Sequence, residues 1–242
     1  MSATVIAQAQ GPSERSRDFS NTPFQSLPGT LAEGESIDKE LKYSRLLKAE
    51  QATETALKQS VTPHILHMAT HGFFLADQPL TPGTDSTNTR YQYENPLLRA
   101  GLAFVGANHL PQAPDDGILT ALEVSGLNLR GTQMVVMSAC QTGLGEIISG
   151  EGVYGLRRAF TLAGSRSQLM SLWRVRDVST KDLMVAYYQR LKSGQPRGKA
   201  LQAVQQQMLK GEMKDSEGKT YTHPYYWAAF VRTGDWSPMN LE

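Results

Sequence analysis

Thiol chemistry is nearly absent from this 242-residue chain, which has one cysteine, Cys140. A single cysteine excludes an internal disulfide and any multi-cysteine metal site, and it fits a reducing compartment. An excess of one charge is lacking too. Lys and Arg total 24 against 23 Asp and Glu, a net of +1, so no polyanion or nucleic acid is implied as a partner. No apolar run reaches the length of a membrane span. Met1 to Gln10 has no basic segment ahead of an apolar one, so no secretory leader is read there. Internal repeats and coiled-coil heptads are missing as well. These absences predict a soluble cytoplasmic protein without a membrane partner. The length fits a single α/β domain, whose core needs neither disulfide nor metal.

What is present alternates between strand and helix patterns. Ala3–Ala9 holds a short apolar stretch and reads as a first strand. Gly11–Gly34 is rich in Ser, Pro, Gly and Asn and reads as loop, pinned to the body by Phe24 and Leu27. Ile37, Leu41, Leu46 and Leu47 predict a helical stretch over 35–60. His64–Thr70 is apolar on both parities, as a central parallel strand should be. A long polar loop is expected over Leu75–Gln92, a short strand within Leu97–Ala107 and a short helix over Ile118–Leu127. A buried strand is expected next, over Met134–Ala139. Then come a helix over Glu151–Leu162 closed by Gly164, a strand over Ser167–Trp173 and a helix from Asp177 to Lys192. A helix over Gly198–Leu209 and an aromatic strand over Tyr225–Thr233 complete the pattern. It predicts a mainly parallel sheet with helices on both faces.

Two strands end in reactive groups, each followed closely by glycine: His67-Met68-Ala69-Thr70 in His71-Gly72, and Val136-Met137-Ser138-Ala139 in Cys140. The carboxyl edge of an open α/β sheet is where ligands bind. A thiol is a modest nucleophile until it loses its proton, and an imidazole can take that proton and return it to a leaving amine. The oxyanion formed needs pre-aimed donors; the backbone N–H groups of Gly72 and Cys140 are the candidates. The plain alternative for Cys140 is a buried structural thiol. Among the other histidines, His67 reads as a hydrogen-bonded core residue, His64 opens its strand, His109 reads as a loop residue, and His223, before Pro224, reads as structural. His67 and His71 stand four apart, but in a strand pattern rather than on a helix, and no metal site is expected. The glycines from Gly143 to Gly155 lack the phosphate-loop lysine and read as an adaptable loop after Cys140. Asp115 and Asp116 read as a solvated turn.

The segments "HMATHGFF", "VVMSACQTGLGE", "SLWRVRDVST" and "HPYYWAAFVRTGDW", with "ENPLLRAGLAFVGAN" and "GILTALEV" between them, resemble the CHAT family. These are caspase-like, TPR-associated cysteine peptidase domains, in the wider clan of caspases and separases. The resemblance covers about Phe24 to Trp236 and sets the domain at 24–242, leaving 1–23 as an N-terminal strand and loop, read as a truncated start of the domain. It implies a caspase-like three-layer α/β sandwich and a cysteine endopeptidase with a Cys140–His71 dyad and no cofactor. It also implies that Trp173, Arg174 and Val175 line a substrate cleft. There Asp177 either pairs with a basic residue on the amino side of the scissile bond (P1) or caps its own helix. The implied partners are a protein or peptide substrate and a TPR-type regulatory region or subunit. The competing expectation is a catalytically silent binding or scaffold module. A non-peptidase acyl transferase using the same dyad is a third.

Overall fold

The computed structural model describes residues 2–7, 24, 27–60, 62–74, 95–108, 115–138, 151–173, 175–239 and 241. Its centre is a six-stranded sheet. In chain order the strands are β1 (Ala3–Ala7), β2 (Ser44–Lys48), β3 (Ile65–Ala69), β7 (Met134–Met137), β8 (Ser167–Ser171) and β9 (Phe230–Gly234). Across the sheet the order is β2-β1-β3-β7-β8-β9, parallel throughout except for β9, which runs antiparallel to β8. A second, antiparallel sheet joins β4 (His71–Phe74), β5 (Ala100–Ala103) and β6 (Ile118–Thr120).

Alternating parity splits the core into two halves. Val5, Ile65, Val136 and Leu169 face α1 (Pro28–Glu40), α5 (Asp177–Lys192) and α6 (Arg197–Leu209). Ile6, Leu66, Met68, Val135 and Met170 face α2 (Glu54–Lys58), α3 (Ala121–Ser125), α4 (Glu151–Leu162) and the small sheet. The central strands are therefore apolar on both parities. The result is the expected three-layer sandwich.

Several boundaries differ from the sequence pattern. The loop expected through Gly34 ends earlier, because Pro28 fits the first turn of α1, where its missing N–H costs nothing. The helical stretch expected over 35–60 is instead α1, the edge strand β2 and the short α2. Leu46 and Leu47 belong to β2 and point to opposite core halves. Ile118–Thr120 is strand rather than helix, and Thr120 with Glu123 forms a capping box that starts α3 only afterwards. The closing strand is confined to Phe230–Gly234, behind a turn of 3-10 helix at Pro224–Tyr226. The loop expected over Leu75–Gln92 lies outside the described residues.

Candidate active site

β3 and β7 are neighbours with a fixed register, from Ile65 opposite Met134 to Met68 opposite Met137. The Ser138 N–H donates to Met68 O at 3.2 Å, the last tie between the two strands among the described residues. Three residues beyond the final ladder pair, the sequence reaches His71 on one chain segment and Cys140 on the other. Cys140 and the glycines after it, through Gly150, lie outside the described residues.

At Thr70 the chain turns out of the main sheet, and its hydroxyl donates to Ala103 O. His71 and Gly72 are not a turn, as their glycine implied. They open β4 and pair in register with Ala103 and Leu102. Gly101 makes this crossing feasible: a Cβ there would lie 2.5 Å from Phe73 Cζ and 2.7 Å from Leu119 O. His71 is only 2% exposed. The Phe24 ring packs on its imidazole with centroids 5.5 Å apart, and lies 6.3 Å from Phe73. The Asn108 side-chain amide holds Phe24 there, accepting from its N–H at 3.0 Å and donating to its carbonyl at 2.8 Å.

His67, on β3, is wholly buried. Its Nδ1 lies 3.0 Å from Tyr188 Oη and its Nε2 3.0 Å from Glu33 Oε1. This is the hydrogen-bonded core histidine that the pattern predicts. Burial pushes the Tyr188 hydroxyl well above its ordinary pKa, with Tyr187 and Glu33 adding to the effect. Tyr188 is thus a neutral hydroxyl in this network.

On the β8 side, Asp177 is the first residue of α5, and Arg176 precedes it without a side-chain cap. The Asp177 carboxylate reaches across to α1, where Oδ2 accepts from the Gly29 N–H at 3.2 Å. α1 has no side-chain cap from Leu27, so Asp177 serves the amino end of a neighbouring helix. Only glycine fits at position 29, since a Cβ would meet Asp177 Cβ at 2.0 Å. Trp173 is half-buried and its indole N–H donates to Tyr225 O at 3.4 Å; Val175 is buried. Arg174 lies outside the described residues. Asp115 and Asp116 are not a plain solvated turn: each accepts backbone N–H groups, Asp115 from Thr55 and Gly117, and Asp116 from Ile118.

Among the described residues, no group of three or more acidic, His or Cys side chains is arranged to hold a metal ion. Nor is any helix long and apolar enough to cross a membrane.

Sheet order, a single antiparallel edge strand and helices on both faces define a caspase-like α/β protein. The CHAT domain family model matches residues 1–235, and the chain belongs to that family. Tetratricopeptide repeat protein 28 of Mus musculus is 24% identical over 99% of this chain, and its Homo sapiens counterpart 25% over 88%. The chain spans only about a tenth of the length of these relatives. Among solved structures, it resembles the complex of the Porphyromonas gingivalis RgpB pro- and mature domains, with a TM-score of 0.52 and 12% identity over 98% of this chain. It is also similar to the Arg specific cysteine proteinase gingipain R, with a TM-score of 0.51 and 11% identity over 98% of this chain. Here the chain spans 48% and 47% of those proteins. At such identity the likeness establishes the fold.

Proposed function

We propose that the domain is a cysteine endopeptidase. Cys140 Sγ attacks the scissile carbonyl carbon, and His71 takes the thiol proton and delivers it to the leaving amine as the C–N bond breaks. Water, deprotonated by the same imidazole, then hydrolyses the thioester and regenerates the thiol. The Gly72 and Cys140 N–H groups stabilise the oxyanion. The observation that carries this reading is the β3–β7 ladder, whose parallel, in-register ends lead to His71 and Cys140 after equal lengths of chain. Family membership and the caspase-like fold support it.

The substrate would lie extended along Trp173, Arg174 and Val175, with Asp177 facing a basic P1 side chain. The likeness to an Arg specific proteinase supports that choice. Engaging such a residue means releasing the Gly29 N–H, so P1 binding would be linked to the start of α1. The repeat-protein relatives support regulation by a tetratricopeptide-type region or subunit.

A second reading, a silent binding module, is favoured by one observation. His71 is buried beneath Phe24. A peptidyl acyloxymethyl ketone separates the two. Labelling of wild type that is lost in Cys140→Ala and weakened in His71→Ala supports the peptidase. Absence of labelling, with the fold intact and a repeat-containing partner added, supports the binding module. If the Phe24 ring gates the imidazole, Phe24→Ala labels faster than wild type.

A further inference from the structure

A cluster of carboxyl groups has no part in the chemistry above. It lies where α2, the 115–117 segment and α3 meet. Glu54, in the first turn of α2, has a side chain only 3% exposed. Its Oε1 pairs with Lys58 Nζ of the same helix, and Lys58 also reaches Glu123 Oε1 of α3 at 2.9 Å. Glu123 Oε2 is already occupied by the N–H and hydroxyl of Thr120. Asp115 accepts from the Thr55 N–H at 3.0 Å through Oδ2 and from the Gly117 N–H at 3.2 Å through Oδ1. One ammonium thus serves two of the three carboxyl groups.

One atom in this cluster is anomalous. Glu54 Oε2 is buried and receives no hydrogen bond. A buried acceptor without a donor costs free energy, and a bare carboxylate oxygen costs more. A proton on that oxygen removes the cost and converts it into a donor, for which the neighbouring Asp115 carboxylate is an acceptor. Three groups act on Glu54 electrostatically: Lys58 from its own helix, Asp115 from the segment before β6, and Glu123 from α3. Burial is the largest influence and, with the two carboxylates, outweighs Lys58, so Glu54 is pushed up to about 7. Burial also works against ionised Asp115. Hydrogen bonds from Thr55, Gly117 and the Glu54 carboxyl nevertheless hold it below its ordinary range. The two acids of the pair are driven apart, one toward holding a proton and the other toward losing it.

The position matters because of where the chain goes beyond Asp115. It runs through Gly117 into β6, which pairs with β5, which pairs with β4, whose first residue is His71. The Val105 N–H donates to Ala52 O at 3.1 Å, a second tie between the end of the small sheet and the start of α2. We propose that Glu54 is protonated in the resting fold and that the proton it shares with Asp115 is a pH-responsive latch, clamping α2 to the small sheet that carries His71.

Proton linkage sets the sign. Folding raises the affinity of Glu54 for its proton, so the contribution of the latch to stability is whole below the ordinary value of 4.5. Its contribution is lost as pH rises toward about 7, beyond which nothing further is lost. The test compares urea unfolding of wild type and Glu54→Gln between pH 4.5 and 8. The glutamine keeps a donor toward Asp115 and cannot ionise. The wild-type folding constant is expected to fall about a hundredfold more than that of the variant across this window. Parallel profiles overturn the latch. A carbon-13 NMR titration of glutamate-labelled wild type keeps the test decisive should the variant fail to fold. One buried carboxyl titrating near 7 is expected, with Lys58→Met moving it higher. Titration of every glutamate carboxyl below about 5 overturns the proposal.

Discussion

Arg197 is the largest side chain fully shut away from solvent, and every nitrogen of its guanidinium donates. The acceptors are Gln133 O, Ser167 Oγ, Ser237 O and Ser237 Oγ, and the group pairs with Asp235 Oδ2 at 2.7 Å. It fastens the start of α6 to β7, β8 and the chain after β9. Arg197→Met removes all of these donors together with the ion pair to Asp235, and urea unfolding should show a loss on the order of 3 kcal/mol. Asp235 responds to acid. Hydrogen bonds from Ser237 and the charge of Arg197 lower it from 3.8 to about 2. Its contribution is therefore whole above 3.8 and disappears as pH falls toward 2. Replacing Asp235 with Asn should flatten that acid limb of a stability profile. The His67 network gives a second residue-scale test. Tyr188→Phe leaves the imidazole Nδ1 unpaired in the core, at about 1–3 kcal/mol, whereas a wet site would absorb the change.

Between elements, the decisive contact is α1 against α5. The two run parallel, since Gly29 meets Asp177 at one end while Glu40 meets Gln189 and Lys192 at the other. Both amino ends therefore lie together at the edge where β8 ends, and the Asp177 carboxylate sits between two positive helix termini. Asp177→Ala should cost about 1 kcal/mol and raise amide exchange selectively in the first turn of α1. Asp177→Asn should recover most of it. A variant with unchanged exchange at residues 29–32 would refute the capping role.

The same contact marks the reach of local sequence. Asp177 is legible as a cap, but the helix it caps lies 148 residues away in sequence, and no periodicity announces that. The long elements α4 and α5 match their sequence patterns because repeated apolar spacing and the glycines at 164 and 194 mark them. β2 is hidden because Leu46 and Leu47 continue the spacing of Ile37 and Leu41. Their assignment to a strand comes from pairing with β1. Gly72 misleads in the other direction: it punctuates nothing, and sits in a strand beside Phe73. Glu33, partner of His67, lies in a stretch that reads as loop, so the pairing has no local signal.

At the scale of the molecule, one sheet brings two distant segments to a common edge, and a smaller sheet holds the imidazole against the Phe24 ring. Residues 65–68 and 134–137 are legible as buried strands ending in a histidine and a cysteine. Their adjacency is not, because it depends on β3 and β7 being neighbours. The proposed chemistry stands or falls on whether His71 acts on Cys140. Having one cysteine makes this directly measurable, since every alkylated thiol in the folded chain is Cys140. The rate of iodoacetamide alkylation is followed from pH 5 to 10 in wild type and in His71→Ala. With a working dyad, wild type reacts with an apparent pKa below the ordinary thiol value of about 8.5, and His71→Ala returns it to that value. Superimposable profiles at about 8.5 or above would contradict it.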